Sequence, residues 1–404
     1  MILSIGMIVK NEEKYLDRCL KAMRPILDNV DSELIIADTG STDSTVEIAK
    51  NYTDKVFTFE WINDFAAARN STLACASGEW YMFLDADEIF ESSCDIIKFF
   101  NSGEYNNYNS ATFIVRSLYD SEDSSDFNAP RLTKRLSDTT FLGIVHESLN
   151  TFGDPVKNLS DIALHYGYLH NEVSHEEKFR RNSELLLKKY DLQGDTDPII
   201  YLQLYECFYF HDRKKAEEFL EKGIDICAKR ESPILIALYC HKAHLAYFDE
   251  HYNEALNITK QYFSLSKKIR PGIMSTDCEM HGFRASSLYH LGRYEEAIVA
   301  YSSFFDLYNS VSTGRIKTPD ADMLVYYIAS ERNLPVAVYE FLSACVKSRD
   351  TASAAYVLAE ITFSRILLSA THIKAITDSI EYLITICTNT VESNALSARL
   401  KELS

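Results

Sequence analysis

The run Trp80-Tyr81-Met82-Phe83-Leu84 follows the turn signal Ser77-Gly78 and stops abruptly in Asp85-Ala86-Asp87-Glu88. An apolar stretch this short and this aromatic reads as a buried strand. Ligands of open α/β sheets sit beyond the carboxyl ends of the strands, so Asp85 and Asp87 emerge where a ligand can be bound. Alternate residues of an extended chain point to the same side. Hard cations such as Mg²⁺ or Mn²⁺ take oxygen ligands, often one or two carboxylates together with substrate phosphates. Asp-x-Asp is therefore a candidate metal-diphosphate clamp. By itself the pattern is more often a helix cap or a solvated loop, so its neighbours must decide.

Residues 1–170 alternate short strand-like runs with amphipathic segments, the pattern of a Rossmann-like, mostly parallel sheet flanked by helices. Ile2–Val9 reads as the first strand, and Glu12–Met23 as a helix ended by Pro25. Leu34–Asp38 is the second strand and runs into Thr39-Gly40-Ser41-Thr42-Asp43-Ser44-Thr45, which can cap a helix over 46–51. Val56–Trp61 is a third strand, Phe65–Cys75 a helix carrying Arg69 and Asn70, and the opening stretch the fourth strand. Further short strands are expected at 111–115, 131–136 and 162–165, with 119–128 as a loop. Arg131 and Arg135 alternate with apolar residues, and structural ion pairing suits them better than phosphate binding.

From residue 171 to 404 the period is helical. Ser174-His175-Glu176-Glu177 is a capping-box pattern opening the first helix. Three segments then resemble one another around Ala216, Ala255 and Ala297, at intervals of 39 (216 to 255) and 42 (255 to 297) residues. A small residue at a fixed place lets paired helices approach closely. Leu291-Gly292-Arg293-Tyr294-Glu295-Glu296-Ala297 is similar to a tetratricopeptide repeat, although that family repeats every 34 residues or so. Beyond about residue 320 the repeat is faint.

A chain of 404 residues with 46% hydrophobic and 25% charged residues can bury two cores. Its formal charge of −18 argues against nucleic acid and anionic membrane as partners. The nine cysteines form no Cys-x-x-Cys pair and suit a reducing compartment. Met1–Val9 reads as a strand and not as a signal peptide. No apolar run approaches the roughly 20 residues of a membrane helix, so a cytoplasmic protein without stable membrane insertion is expected.

Four motifs occur in the order found in family 2 glycosyltransferases with the GT-A fold: Leu3 to Glu13, Ile35 to Asp43, Phe65 to Asn70 and Phe83 to Glu88. The resemblance covers residues 1–170. Trp61 to Asn70, Gly143-Ile-Val-His146-Glu147, His165-Tyr-Gly167-Tyr168, Arg180-Arg181-Asn182 and the helical repeats resemble a bacterial subgroup that includes the peptide S-glycosyltransferases of glycocin bacteriocins. Envelope-polysaccharide transferases share that likeness. The resemblance implies that Asp38 accepts from the uracil imide, that Asn11 and Glu12 line the nucleoside pocket, and that Arg69 and Asn70 contact the base or phosphates. It further implies that Asp85 meets the ribose or the metal and that Asp87 binds the metal. Glu147 is the candidate general base. His165 is the candidate third metal ligand, with His146 as the alternative. Imidazole suits Mn²⁺ better than Mg²⁺.

The expected activity is a metal-dependent, inverting transfer of a sugar from a UDP-sugar to a peptide or protein side chain, Cys, Ser or Thr. The helical repeats would present the acceptor and could carry a homodimer contact. The alternatives are transfer to an envelope or lipid-linked glycan, and a non-catalytic scaffold with a degenerate transferase domain.

Overall fold

The computed structural model describes residues 1–119, 124–167, 175–193, 196–269, 275–313, 315–316, 333–361 and 368–403. Ser174 of the expected capping box and Tyr168 of the histidine motif lie outside them. The chain divides into two compact units, Met1–Gly194 and Asp195–Ser404.

The first unit begins with β1 (Leu3–Val9), α1 (Leu16–Asn29), β2 (Ser32–Asp38), α2 (Thr45–Lys50), β3 (Val56–Thr58), α3 (Phe65–Ala74) and β4 (Trp80–Phe83). It continues with β5 (Glu88–Phe90), α4 (Cys94–Asn101), β6 (Ser110–Leu118), β7 (Ser124–Lys134), β8 (Phe141–Leu142), β9 (Ser148–Leu149), β10 (Val156–His165) and α5 (His175–Gln193). Eight strands form one sheet in the order β3-β2-β1-β4-β7-β6-β10-β5. The β3-β2-β1-β4 half is wholly parallel, β7 runs against both β4 and β6, and β10 is parallel to β6 and antiparallel to β5.

Both faces of β4 are buried, as its unbroken apolar run requires. Trp80, Met82 and Leu84 join the main core with α1 and α4, whereas Tyr81 and Phe83 join a second cluster with Ala66, Leu73, Phe141 and Leu149. The connection from Phe83 to Glu88 spans at most about 18 Å when fully extended. Four strand spacings of a flat sheet already measure about 19 Å. The sheet therefore curls, and β5 returns beside the end of β4.

Several expectations change. Pro25 does not end the first helix but lies inside α1. Met23 and Ile26 are fully buried on either side of it, and burying that continued apolar face offsets a cost of about 3 kcal/mol for an interior proline. Residues 124–128, expected in a loop, belong to β7. Beyond the expected strands, β8 and β9 pair around a turn at 143–147, with Gly143 at φ 101° and His146 at φ 54°. The change of sequence period near residue 171 and the break between compact units at Gly194 fall at different places, because α5 is helical yet counts with the first unit.

The second unit is all helix: α6 (Ile199–Phe208), α7 (Arg213–Arg230), α8 (Ile234–Phe248), α9 (Tyr252–Ile269), α10 (Ser275–His290), α11 (Tyr294–Ser312), α12 (Leu334–Ser348), α13 (Thr351–Glu360), α14 (Ala370–Ile386) and α15 (Thr390–Leu403). Ala216, Ala255 and Ala297 each occupy the fourth position of the second helix of a pair and are fully buried. Ala354 sits at the same place in α13, equally buried. The repeat thus continues past residue 320, hidden in the sequence by the longer segment between α11 and α12. The turns at Glu250, Gly292 and Arg349 share left-handed backbone, and the following amide bonds back to Ala246, Leu288 and Cys345 respectively at 2.9–3.0 Å. This is the Schellman geometry, which glycine fills most readily. Among the described residues no helix is long and apolar enough to cross a membrane.

Candidate active site

Parallel strands deliver the first two site elements. β2 ends in Asp38, which is 5% exposed and accepts from the amides of Gly40 (3.2 Å) and Ser41 (3.1 Å). Gly40 takes φ 104°, a conformation that costs an L-residue strain. Asn11 (φ 54°) accepts from the Thr42 amide at 2.8 Å and donates its own amide to Ser41 Oγ at 2.9 Å. The Glu12 amide donates to Thr45 Oγ1 at 2.7 Å. These contacts tie the end of β1 to the loop after β2, framing one pocket around Asp38.

The second element is Asp85–Glu88, where the chain turns from β4 into β5. Register explains its geometry: Glu88 on β5 lies opposite His165 on β10, and His165 lies beside Ser117 on β6. The Tyr166 amide donates to the Asp87 carbonyl at 3.0 Å. His165 Nε2 comes within 3.3 Å of Asp87 Oδ2, and its Nδ1 lies 3.5 Å from Ser117 Oγ. Burial opposes a charge on His165, but Asp87 outweighs it and raises its pKa above 6.5. His146 stands elsewhere, exposed in the β8–β9 turn. Of the two histidines, it is His165 that the fold brings to Asp87.

The third element arrives from beyond the sheet. Arg69 on α3 is 5% exposed. Its Nε donates to the Glu147 carboxylate, and its Nη2 donates to Asp85 Oδ1 at 2.7 Å. Arg131 on β7 donates through Nη2 to Asp85 Oδ2 at 3.2 Å and to the Glu88 carboxylate. Both guanidinium groups pack on the Phe83 ring, 4.8 and 4.5 Å from its centroid. Burial alone would push the Asp85 carboxyl up, but Arg69 and Arg131 prevail and hold it well below 3.8. At Glu88, burial, opposed by Arg131 and reinforced by Asp85, prevails and pushes the pKa up to about 7.

The geometry adds structural contacts to two of the expected site residues. Asp85 accepts from an arginine on each carboxylate oxygen, from Arg69 on Oδ1 and from Arg131 on Oδ2. Asn70 anchors β8: its amide donates to the Phe141 carbonyl at 3.0 Å and accepts from the Phe141 amide at 2.7 Å. It thereby holds the start of the turn that carries Glu147. Sequence reasoning overlooked Glu88 and expected structural ion pairing for Arg131, which it makes with Asp85 and Glu88. The signal was present in the third carboxylate of Asp85-Ala86-Asp87-Glu88, but pairing it with Arg131 needs the strand register.

Among the described residues no group of three or more His, Cys, Asp or Glu side chains is arranged to hold a metal ion. Asp87 and His165 nevertheless fit as a two-ligand site. Their facing atoms are 3.3 Å apart, close to the roughly 3 Å between neighbouring ligands of an octahedral ion with bonds of about 2.1 Å. A Cβ on Gly167 would lie 2.4 Å from Asp87 Oδ2 and 2.7 Å from His165 Nε2, so glycine leaves that space open.

Residues 4–148 match the family described as Glycosyl transferase family 2. This part of the chain is a family 2 glycosyltransferase domain. The match ends one residue past Glu147, so the transferase domain includes Asn11, Asp38, Arg69, Asp85, Asp87, Arg131 and Glu147. The chain is similar to the SPbeta prophage-derived glycosyltransferase SunS of Bacillus subtilis, 27% identical over 230 residues, 55% of this chain and 53% of that one. It is also similar to a TPR repeat-containing protein of Synechococcus elongatus, 47% identical over 85 residues, 21% of this chain and 20% of that one. The chain thus spans about half of SunS and a fifth of the Synechococcus protein. Among solved structures, S. aureus TarS 1-349 in complex with UDP-GlcNAc superposes with a TM-score of 0.39 at 17% identity, over 67% of this chain and 92% of that one. So loose a likeness does not define the fold, which rests on the strand order and the helical pairs themselves.

Proposed function

We propose that the chain is a metal-dependent, inverting glycosyltransferase that moves a sugar from a UDP-sugar to a peptide or protein side chain, Cys, Ser or Thr, in a reducing cytoplasm. The observation that carries this reading is the single buried guanidinium of Arg69, which holds Glu147 and Asp85 at once. It joins the Glu147 carboxylate to the Asp-x-Asp turn, which supports a base close to the donor. Among the described residues the buried Arg69 Nη1 has no hydrogen-bond partner, which would leave it as a donor to an oxygen of the bound nucleotide.

The loop around Asp38 would receive the uridine. Asp87 and His165 would hold Mn²⁺ or Mg²⁺, which as a Lewis acid would stabilise charge on the departing diphosphate. Glu147 would take the proton of the acceptor S–H or O–H as sulfur or oxygen bonds to the anomeric carbon and the bond from that carbon to the diphosphate oxygen breaks. General-base help of this kind is worth about 10²- to 10⁴-fold. A thiol, with a pKa near 8.5, asks less of the base than a hydroxyl. The nine cysteines of the chain are all free thiols, which accords with a reducing compartment.

The test is turnover of a panel of UDP-sugars with MnCl₂, followed by intact mass of acceptor peptides before and after cysteine alkylation. Asp87→Ala and Glu147→Gln should each lower transfer at least about 10²-fold. Gly167→Ala should weaken Mn²⁺ binding, read by electron paramagnetic resonance. No transfer or hydrolysis with any donor, or wild-type turnover by Asp87→Ala, would refute the proposal.

A further inference from the structure

Glu147, Arg69, Asp85, Arg131 and Glu88 form a continuous chain of alternating charge, each neighbour joined by a hydrogen bond between charged groups. Four of the five links are largely shielded from water, the side chains of Arg69 and Arg131 being 6% and 14% exposed and those of Glu147 and Glu88 12% and 2%, while Asp85 at the centre is 34% exposed. The chain closes on the backbone, since Glu88 Oε2 accepts the Asp85 amide at 3.1 Å. Arg131 belongs to none of the ordered motifs. It lies on β7, antiparallel to β4, one residue before Leu132, which pairs with Met82.

We infer that Arg131 is a positioning residue for the proposed transfer, acting on Glu147 through Asp85 and Arg69. Arg69 has two anchors, and it can hold Glu147 still only if Asp85 is itself fixed. Asp85 is fixed by Arg131, whose Nη2 also neutralises Glu88 behind it. Without that guanidinium Asp85 loses the donor on its Oδ2 and is free to turn, carrying the Arg69 contact with it. The Phe83 ring, against which both guanidinium groups rest, limits where Arg69 can settle afterwards. Displacing a base by about 1 Å can cost 10²-fold in rate.

The inference rests on the transfer reading, and its test separates the two. In the full-length protein, UDP release is measured with MnCl₂ and whichever of UDP-glucose, UDP-N-acetylglucosamine and UDP-galactose turns over. UDP affinity is measured by calorimetry. Arg131→Met should lower kcat roughly 10²-fold while UDP affinity stays within about threefold. Arg131→Lys should recover at least about tenfold of that loss, because one ammonium can bond Asp85 and Glu88 as Nη2 does. Adding Arg131→Met to Glu147→Gln should cost less than about twofold more, since coupled residues are non-additive. Should Arg131→Met fail to fold, Arg131→Met with Glu88→Gln removes the unpaired buried acid and should be equally slow. A folded Arg131 variant with wild-type kcat, or losses that multiply in full with Glu147→Gln, would overturn the inference. Wild-type turnover by Glu147→Gln would instead remove the base from the transfer reading.

Discussion

At the scale of single residues, this fold repeatedly stabilises buried charge by neighbours distant in sequence. Glu33 on β2 is 8% exposed and accepts from Ser4 Oγ at 2.5 Å, from the Ser77 amide and hydroxyl at 2.7 Å, and from Lys55. Burial works against its charge, but Lys55 and the Ser4 and Ser77 donors prevail and lower the pKa from 4.5 to about 2. A depressed carboxylate contributes stability that is present above its unfolded value and lost as pH falls through its folded one. Unfolding free energy should therefore decline between about pH 4.5 and pH 2, by 1–2 kcal/mol after allowing for the half-exposed Lys55. Glu33→Gln should be less stable at pH 7 and lack that part of the decline, checked by urea unfolding at a series of pH values. An unchanged slope would show that the donors around Glu33 do not favour its ionised form. None of these pairings shows in sequence. Ser4, Glu33, Lys55 and Ser77 have no common motif, and only β1, β2 and the turn before β4 bring them together.

At the scale of elements, legibility followed burial. β1, β2, α3 and β4 were readable because their apolar runs keep one period and end at recognisable signals such as Asp38 and Gly40. β5 was not, because three residues carry no period, and it exists by pairing with β10. The fourth repeat was missed for a different reason. Ala354 has the environment of Ala297, but spacing, the only sequence cue, breaks between α11 and α12. Ala354→Leu should therefore overpack the α12–α13 pair and destabilise by about 1–3 kcal/mol. Ala352→Leu, at an exposed position of the same helix, should stay within about 0.5 kcal/mol of wild type. Equal melting temperatures for the two variants would remove α13 from the repeat.

At the scale of the whole molecule, where to divide the two compact units is a physical question. Lys178 on α5 donates to the Gly167 carbonyl at 2.6 Å, and the Arg181 guanidinium lies 5.1 Å from the Phe65 ring. A fragment of residues 1–194 should therefore fold cooperatively and bind UDP with MnCl₂ within about threefold of the full chain, whereas 1–170 should bind at least about tenfold more weakly. Equal affinities by calorimetry would show that α5 is dispensable to UDP binding.

The sequence by itself determined the order of strands and helices from β1 to β4, the aspartates at strand ends and the small residue at the core of three helical pairs. Those features are local: a period, a cap and a turn depend on residues a few positions apart. The tertiary structure alone decided that Asp85 faces arginines, that His165 and not His146 meets Asp87, that Asn70 anchors β8, and that Arg131 belongs to the site. Those outcomes depend on the curl and register of the sheet. Each joins groups at least 16 residues apart, across strands whose pairing no local pattern encodes.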